Sequence, residues 1–294
     1  MLAHIRATKT LVCAAEARPG IAHEDANNEL HGLAVELCQA VAVAVLGPNG
    51  TVEVTTPDSA KEFSELAHQP PDLVFFSGGT FDEHHLTQSF IPGPTVFIDP
   101  VTVMVPEASK IMQPADLAGA TICTMIGSTG QRAMEASLGV ATPPIVRLTF
   151  REEVEMLDAY NVGRCDAMAD DASTLAGYRL TTGINRMQSR LLAPPLALTP
   201  VLAATPAGDG AWASLAGWVL HDIISGAVPK SAWRSEADLA TPALRPNWRA
   251  EVGAKLGTYA DMRVRTMGDG SRLRLPVWPN APWPEGLLLP ATIE

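Results

Sequence analysis

Four cysteines, Cys13, Cys38, Cys123 and Cys165, are the residues with the most chemical potential in this 294-residue chain. Cysteines can ligate a metal, act as a nucleophile or pair as disulfides. No C-x-x-C is present and no histidine stands at finger-like spacing, so a zinc centre is not indicated. Each cysteine lies in or at the end of an apolar segment: Cys13 after Thr10–Leu11–Val12, Cys38 on a helical stripe, Cys123 after Ala120–Thr121–Ile122, and Cys165 in Gly163–Arg164–Cys165–Asp166. An even set so placed suits two structural disulfides, although four cysteines allow three connectivities. Two histidine groups add a metal option: His84–His85 after Asp82–Glu83, and His23 before Glu24–Asp25. Adjacent side chains rarely converge on one ion, so both groups read as surface loops and no metal is expected. Gly-x-Ser-x-Gly is absent, and Gly127–Ser128–Thr129–Gly130 lacks the lysine of a phosphate-binding loop. No cofactor is expected.

Composition narrows the classes. An apolar content of 47% with 18% charged residues is that of a globular chain long enough for two domains. The net charge of −11 and the lack of a Lys/Arg block exclude a general nucleic-acid binder and disfavour an anionic membrane surface. No apolar run approaches the roughly 20 residues that span a bilayer. Two disulfides would imply an oxidising compartment. The opening Met-Leu-Ala-His-Ile-Arg is not a secretory signal, so an oxidising location would require a leader already removed. The plain alternative is a cytosolic protein with four buried thiols.

The elements that must position these groups follow from periodicity. Thr8–Cys13 reads as a strand, followed by a loop over Glu16–Asn28. Leu33, Leu37, Val41 and Val45 make a helical stripe within Leu30–Leu46, which Gly47–Pro48–Asn49–Gly50 stops. A strand at Thr51–Thr55, a short helix at Ser59–Ala67 and a buried strand at Asp72–Phe76 complete an α/β set with a mostly parallel sheet. A second set follows an extended Thr95–Val105. It has strands at Ala120–Met125, Ile145–Leu148 and Ala167–Ala169, with helices opened at Gly127–Gln131 and at Glu152–Tyr160. Ser128 with Gln131 has capping-box spacing. Pro194–Ala204 reads as an extended return, before helices near Ala211–Ile224 and Trp248–Met262 and a Pro/Trp-rich tail over Leu275–Pro290.

With these segments in place, the chain resembles the type 2 periplasmic solute-binding proteins, in the general L-amino-acid-binding branch that serves ABC importers. The matching pieces are Leu11–Cys13, Glu36–Val41, Asp116–Cys123, Asp158–Tyr160, Gly163–Asp166, Trp218, Asn247–Trp248, Gly257–Tyr259 and Trp283–Gly286. The Asp-Leu-x-Gly element is common to the class, whereas four cysteines at matching positions are specific to this branch. The resemblance implies an α/β protein of two lobes with mixed, mostly parallel sheets, flanking helices and a ligand cleft between lobes. Residues 1–101 would begin lobe 1, 102–198 would form lobe 2, and 199–294 would return to lobe 1. It also implies the pairings Cys13–Cys38 and Cys123–Cys165, one per lobe.

The same resemblance directs attention to the carboxyl ends of the strands, where such folds bind ligands. Asp171 matches the family's acidic ligand for an ammonium group, and the alternative is that Asp170 or Asp171 caps the following helix. Ser128 and Thr129 match an anion-facing helix start, where the alternative is an ordinary cap. The family's carboxylate-clamping arginine is missing, because Val74–Thr80 reads Val-Phe-Phe-Ser-Gly-Gly-Thr and Phe76 or Ser77 takes its place. Ile21 stands about where an aromatic is usual. Arg18 could replace the arginine from the first loop or simply be solvated, Glu16 could be a second acid, and Thr80 ends the third-strand segment.

These readings converge on an extracytoplasmic binding protein of the ABC-importer type. Its ligand would be small and polar or amine-bearing rather than a standard L-amino acid, held by Asp171, Ser128, Thr129, Glu16, Arg18, Phe76, Ser77 and Thr80. Partners would be that ligand and an importer permease or another periplasmic protein, with no nucleic acid and no membrane insertion. The alternatives are a scaffold repurposed as a dehydratase-like enzyme using Glu16 or Asp171, or an accessory protein of a periplasmic oxidoreductase.

Overall fold

A computed structural model describes residues 1–25, 27–57, 60–79, 88–180, 188–226, 243–281 and 285–288, with the backbone alone at 60 and 61. Its chain divides into two units. Unit 1 holds Met1–Phe97, Pro200–Ser271 and Pro276–Glu294, and unit 2 holds Ile98–Thr199 and Arg272–Leu275.

In unit 1, helix α1 (Leu2–Thr8) precedes strand β1 (Thr10–Ala15). A hairpin of β2 (His23–Glu24) and β3 (Leu30–His31) leads to α2 (Leu33–Leu46), followed by β4 (Thr51–Thr55), α3 (Ala60–His68) and β5 (Leu73–Ser77). β1 lies between β4 and β5 and runs parallel to both. Successive side chains of β1 point to opposite faces. Cys13 is bonded to Cys38 of α2 on one side, and Ala14 joins Phe63, Val74, Phe76 and Phe90 on the other. Buried on both faces, β5 carries the continuous apolar run that such a position demands.

Two long strands carry the chain between units: β6 (Phe90–Pro106) on the way out and, later, β11 (Ala197–Pro206) on the way back. Within unit 1, β11 runs antiparallel to β5, with Val201 opposite Ser77.

Unit 2 repeats the plan with β7 (Thr121–Met125), α4 (Thr129–Leu138), β8 (Val146–Phe150), α5 (Glu153–Asn161), β9 (Ala167–Asp171) and α6 (Ala172–Tyr178). β7 runs parallel to β8 and β9, β6 pairs antiparallel with β9, and β10 (Ser189–Leu191) pairs with β6. Alternation sorts the two cores. Cys123 and Met168 face Met156 and Tyr160 of α5, whereas Ile122, Ala167 and Ala169 face Met134 of α4. Cys123 is bonded to Cys165, with Cα atoms 5.8 Å apart. A segment from far along the chain completes the unit: Leu273 and Leu275 are buried, and the Arg179 guanidinium donates to the Leu273 carbonyl at 2.9 Å.

The remaining helices belong to unit 1: α7 (Gly210–Ser225), α8 (Trp248–Leu256) and α9 (Tyr259–Thr266). The single helix expected over Trp248–Met262 is therefore two. Gly257 breaks it at φ +79°, a conformation only glycine adopts cheaply, and Thr258 starts α9 with a capping box to Asp261. The loop expected over Glu16–Asn28 contains the first strand of the β2–β3 hairpin, too short for periodicity to reveal. No described helix is long and apolar enough to cross a membrane.

Candidate ligand-binding site

In unit 2 the ends of β7 and β9 bring four sequence-selected residues together. After β7 the chain turns through Gly127 into α4. Ser128 is the N-cap, and its Oγ accepts the Gln131 amide at 3.1 Å. The expected capping box is displaced by one residue, since Gln131 Oε1 accepts from the Gly127 amide at 2.7 Å. Gly130 lets this helix start lie directly on β9: a Cβ there would sit 2.0 Å from the Ala169 carbonyl oxygen. That close approach puts Thr129 beside the two acids at the end of β9. The Thr129 hydroxyl donates to Asp171 Oδ2 at 2.8 Å, with Asp170 Oδ1 at 3.3 Å. Asp170 Oδ1 also accepts the Asp171 amide at 2.9 Å.

The helix-cap alternative for Asp171 fails on geometry. Asp171 occupies the N-cap position of α6, but its side chain makes no cap hydrogen bond and turns to Thr129 instead. The α6 start is held from elsewhere, by Asp99 of β6. This fully buried carboxylate accepts the Ser173 amide at 3.1 Å and also the Ser173 hydroxyl. Sequence reading passed over Asp99. The available signal was a lone acid inside a 17-residue strand that is otherwise apolar or small and uncharged.

Chemically, the arrangement is rich in acceptors. A threonine has one O–H donor, and Thr129 gives it to the acids, so its hydroxyl offers an incoming group lone pairs only. Asp170 and Asp171 at the N-terminus of α4 also complement the positive end of its dipole. A group that donates hydrogen bonds, such as an ammonium, would find acceptors in the Thr129 hydroxyl and the acids beside it.

Unit 1 arranges its strand ends differently. Glu16 follows β1, and its amide donates to the Phe75 carbonyl at 2.9 Å. Its side chain accepts Arg18 Nη2 on Oε1 at 2.9 Å and the Ser77 amide on Oε2 at 2.8 Å. The Arg18 and Glu16 side chains are only 10% and 16% exposed. The solvated reading of Arg18 is thus incorrect: it is a largely buried partner of Glu16. Phe76, on the opposite face of β5, lies edge-on to Phe63 and Phe90 and is fully buried in the core. Ile21 is buried as well, and its carbonyl accepts the Ala34 amide at the start of α2. Thr80 and the His84–His85 group lie outside the described residues.

No protein-family model matches the chain. It is 25% identical over 288 residues to the general L-amino acid-binding periplasmic protein AapJ of Rhizobium johnstonii, covering 91% of this chain and 84% of that protein. It is 24% identical over 308 residues to the glutamate/glutamine/aspartate/asparagine-binding protein BztA of Rhodobacter capsulatus, covering 97% and 90%. Among solved structures, a periplasmic binding protein from Brucella ovis with glutathione bound aligns over 99% of this chain and 98% of its own, at a TM-score of 0.77 and 23% identity. The Bacillus subtilis extracellular-binding protein ytmK aligns over 89% and 99%, at 0.65 and 16%. By sequence the chain is a relative of periplasmic binding proteins of amino-acid ABC transporters, and it has the two-domain fold of the type 2 solute-binding proteins.

Proposed function

We propose that the protein is the periplasmic binding component of an amino-acid-type ABC importer, with units 1 and 2 as its lobes, for a small amine-bearing ligand other than a standard L-amino acid. The observation that carries the ligand class is the Thr129 hydroxyl, which spends its one donor on Asp171 and leaves an acceptor-lined site. Asp171 receives the ligand's ammonium, supported by Thr129. Ser128 sets the start of α4. In unit 1 the cation that could have clamped a carboxylate, Arg18, is bound to Glu16, and Glu16 and Ser77 are bound to each other. The partner outside the ligand is the importer's membrane permease, in keeping with relatives named as amino-acid ABC transporter-binding proteins.

The enzymatic alternative has less support. Glu16 is tied to a guanidinium and a backbone amide, a poor setting for a group that must pick up and release a proton. No observation favours the accessory role.

A thermal-shift screen tests the reading, using polyamines and amino-acid amides, the common L-amino acids, and glutathione, which is the ligand bound in the Brucella ovis protein. A ligand at 100 times its Kd adds about 2.7 kcal/mol, an upward shift in Tm of about 5 °C for a chain of this size. Amines without an α-carboxylate are expected to give that shift, and Asp171→Asn to abolish it. Equal stabilisation by ordinary L-amino acids would overturn the ligand class. Stabilisation that survives Asp171→Asn would overturn the site.

A further inference from the structure

The β2–β3 hairpin of unit 1 gathers metal-ligating side chains that no role described so far uses. Sequence order separates Asp25, Glu29 and His31, but the hairpin folds them onto one another. The Asp25 amide donates to the Glu29 carbonyl at 2.9 Å, closing the turn. Asp25 Oδ1 then accepts the Asn27 amide at 2.8 Å and the Glu29 amide at 2.9 Å. Those amides fix the orientation of the Asp25 carboxylate, which turns Oδ2 toward His31 Nε2 at 3.3 Å. A Glu29 carboxylate oxygen stands 3.9 Å from the same nitrogen. One ligand atom from each of the three residues lies within 4.8 Å of the others.

We infer that Asp25, Glu29 and His31 form a surface site for a divalent transition-metal ion of the Zn2+ type, bound by one imidazole nitrogen and two carboxylates, with water completing the shell. Imidazole with carboxylate suits a borderline ion, whereas Ca2+ and Mg2+ prefer all-oxygen sets. The spacing agrees: two ligands with bonds of about 2.1 Å at a tetrahedral angle lie about 3.4 Å apart, close to the Asp25–His31 separation. Glu29 is exposed, and its carboxylate already stands within 4.8 Å of the other two ligand atoms.

His23 faces His31 in the hairpin register, with ring centroids 6.5 Å apart, yet it is not a ligand. Its Nδ1 accepts the Gly20 amide at 3.3 Å, so in the neutral ring the proton sits on Nε2 and neither nitrogen offers a lone pair to a metal. The two imidazoles are therefore distinct in role.

The test is a competition titration of the intact protein with Zn2+ against a chromophoric chelator, alongside electron paramagnetic resonance of the Cu2+-loaded form. One equivalent is expected to bind. His31→Ala and Asp25→Asn should each weaken binding by at least about 10-fold, while His23→Ala and the exposed-site control His4→Ala leave it unchanged. The Cu2+ spectrum should carry nitrogen coupling that His31→Ala removes. Circular dichroism and an unchanged Tm in the absence of metal verify that each variant is folded. Absence of Zn2+ binding overturns the assignment. So does binding that persists in His31→Ala, or binding lost only when His23 or the His84–His85 pair is replaced.

Discussion

Beyond their central strands, the two units solve the same problem in opposite ways. Each places a carboxylate just past a parallel strand, next to backbone amides and small residues. In unit 1, Glu16 is closed off by a guanidinium, and the pair is largely buried. In unit 2, Asp170 and Asp171 accept hydrogen bonds from the Thr129 hydroxyl and the Asp171 amide, both neutral donors. A hydrogen bond from a neutral donor holds a carboxylate in place while leaving much of its field for a ligand, whereas an ion pair largely cancels that field. A shared strand-end geometry therefore does not imply a shared ligand chemistry. The partner that each acid keeps decides what it can still receive.

That contrast can be broken or sharpened by experiment. The largest effect is expected for the bridges that stiffen the units. Replacing Cys123 and Cys165 together by serine should cost about 4 kcal/mol, and replacing Cys13 and Cys38 about 3.5 kcal/mol, the order set by loop length; urea unfolding measures both. A reversed order would mean that loop closure does not govern them. Next is Asp171→Asn, expected to weaken the amine ligand about 100-fold, about 2.7 kcal/mol, while moving the unfolding midpoint little. Calorimetry separates the two readouts, and a loss of stability equal to the loss of binding would make Asp171 merely structural. Gly130→Ala forces α4 off the β9 backbone and should cost about 2 kcal/mol of stability. Ligand affinity should fall with it, because Thr129 and the acids move apart. The smallest change in ligand affinity is expected for Glu16→Gln, although taking this partner from a largely buried guanidinium should cost about 3 kcal/mol of stability. If Glu16→Gln instead gave the protein affinity for ordinary L-amino acids, the freed Arg18 would be the carboxylate clamp held in reserve.

Much of this architecture was legible from the chain. Strong periodicity placed α2 and β5, and short apolar runs bounded by glycine placed β7 and β9, because burial on a fixed face leaves a pattern in the residues themselves. The cysteine pairings were implied by resemblance and agree with the structure. The site was less legible for a definite reason. Whether Asp171 caps α6 or turns to Thr129 depends on how closely α4 lies on β9, and that distance is set by the absence of a side chain at Gly130. Whether Arg18 is solvated or paired depends on the turn after β1, which brings residues 16 and 18 to the same side. Asp99 stood out only as a lone acid in an uncharged strand, and its role was hidden because its partner, Ser173, lies many residues away.

The strap formed by Arg272–Leu275 makes unit 2 depend on sequence far outside its main body. Most of the unit comes from Ile98–Thr199, yet its last buried leucines and the carbonyl that receives Arg179 belong to a segment flanked on both sides by unit 1 sequence. A fragment of residues 98–199 would therefore lack that edge. It should yield to a protease sooner than the same residues do in the intact protein.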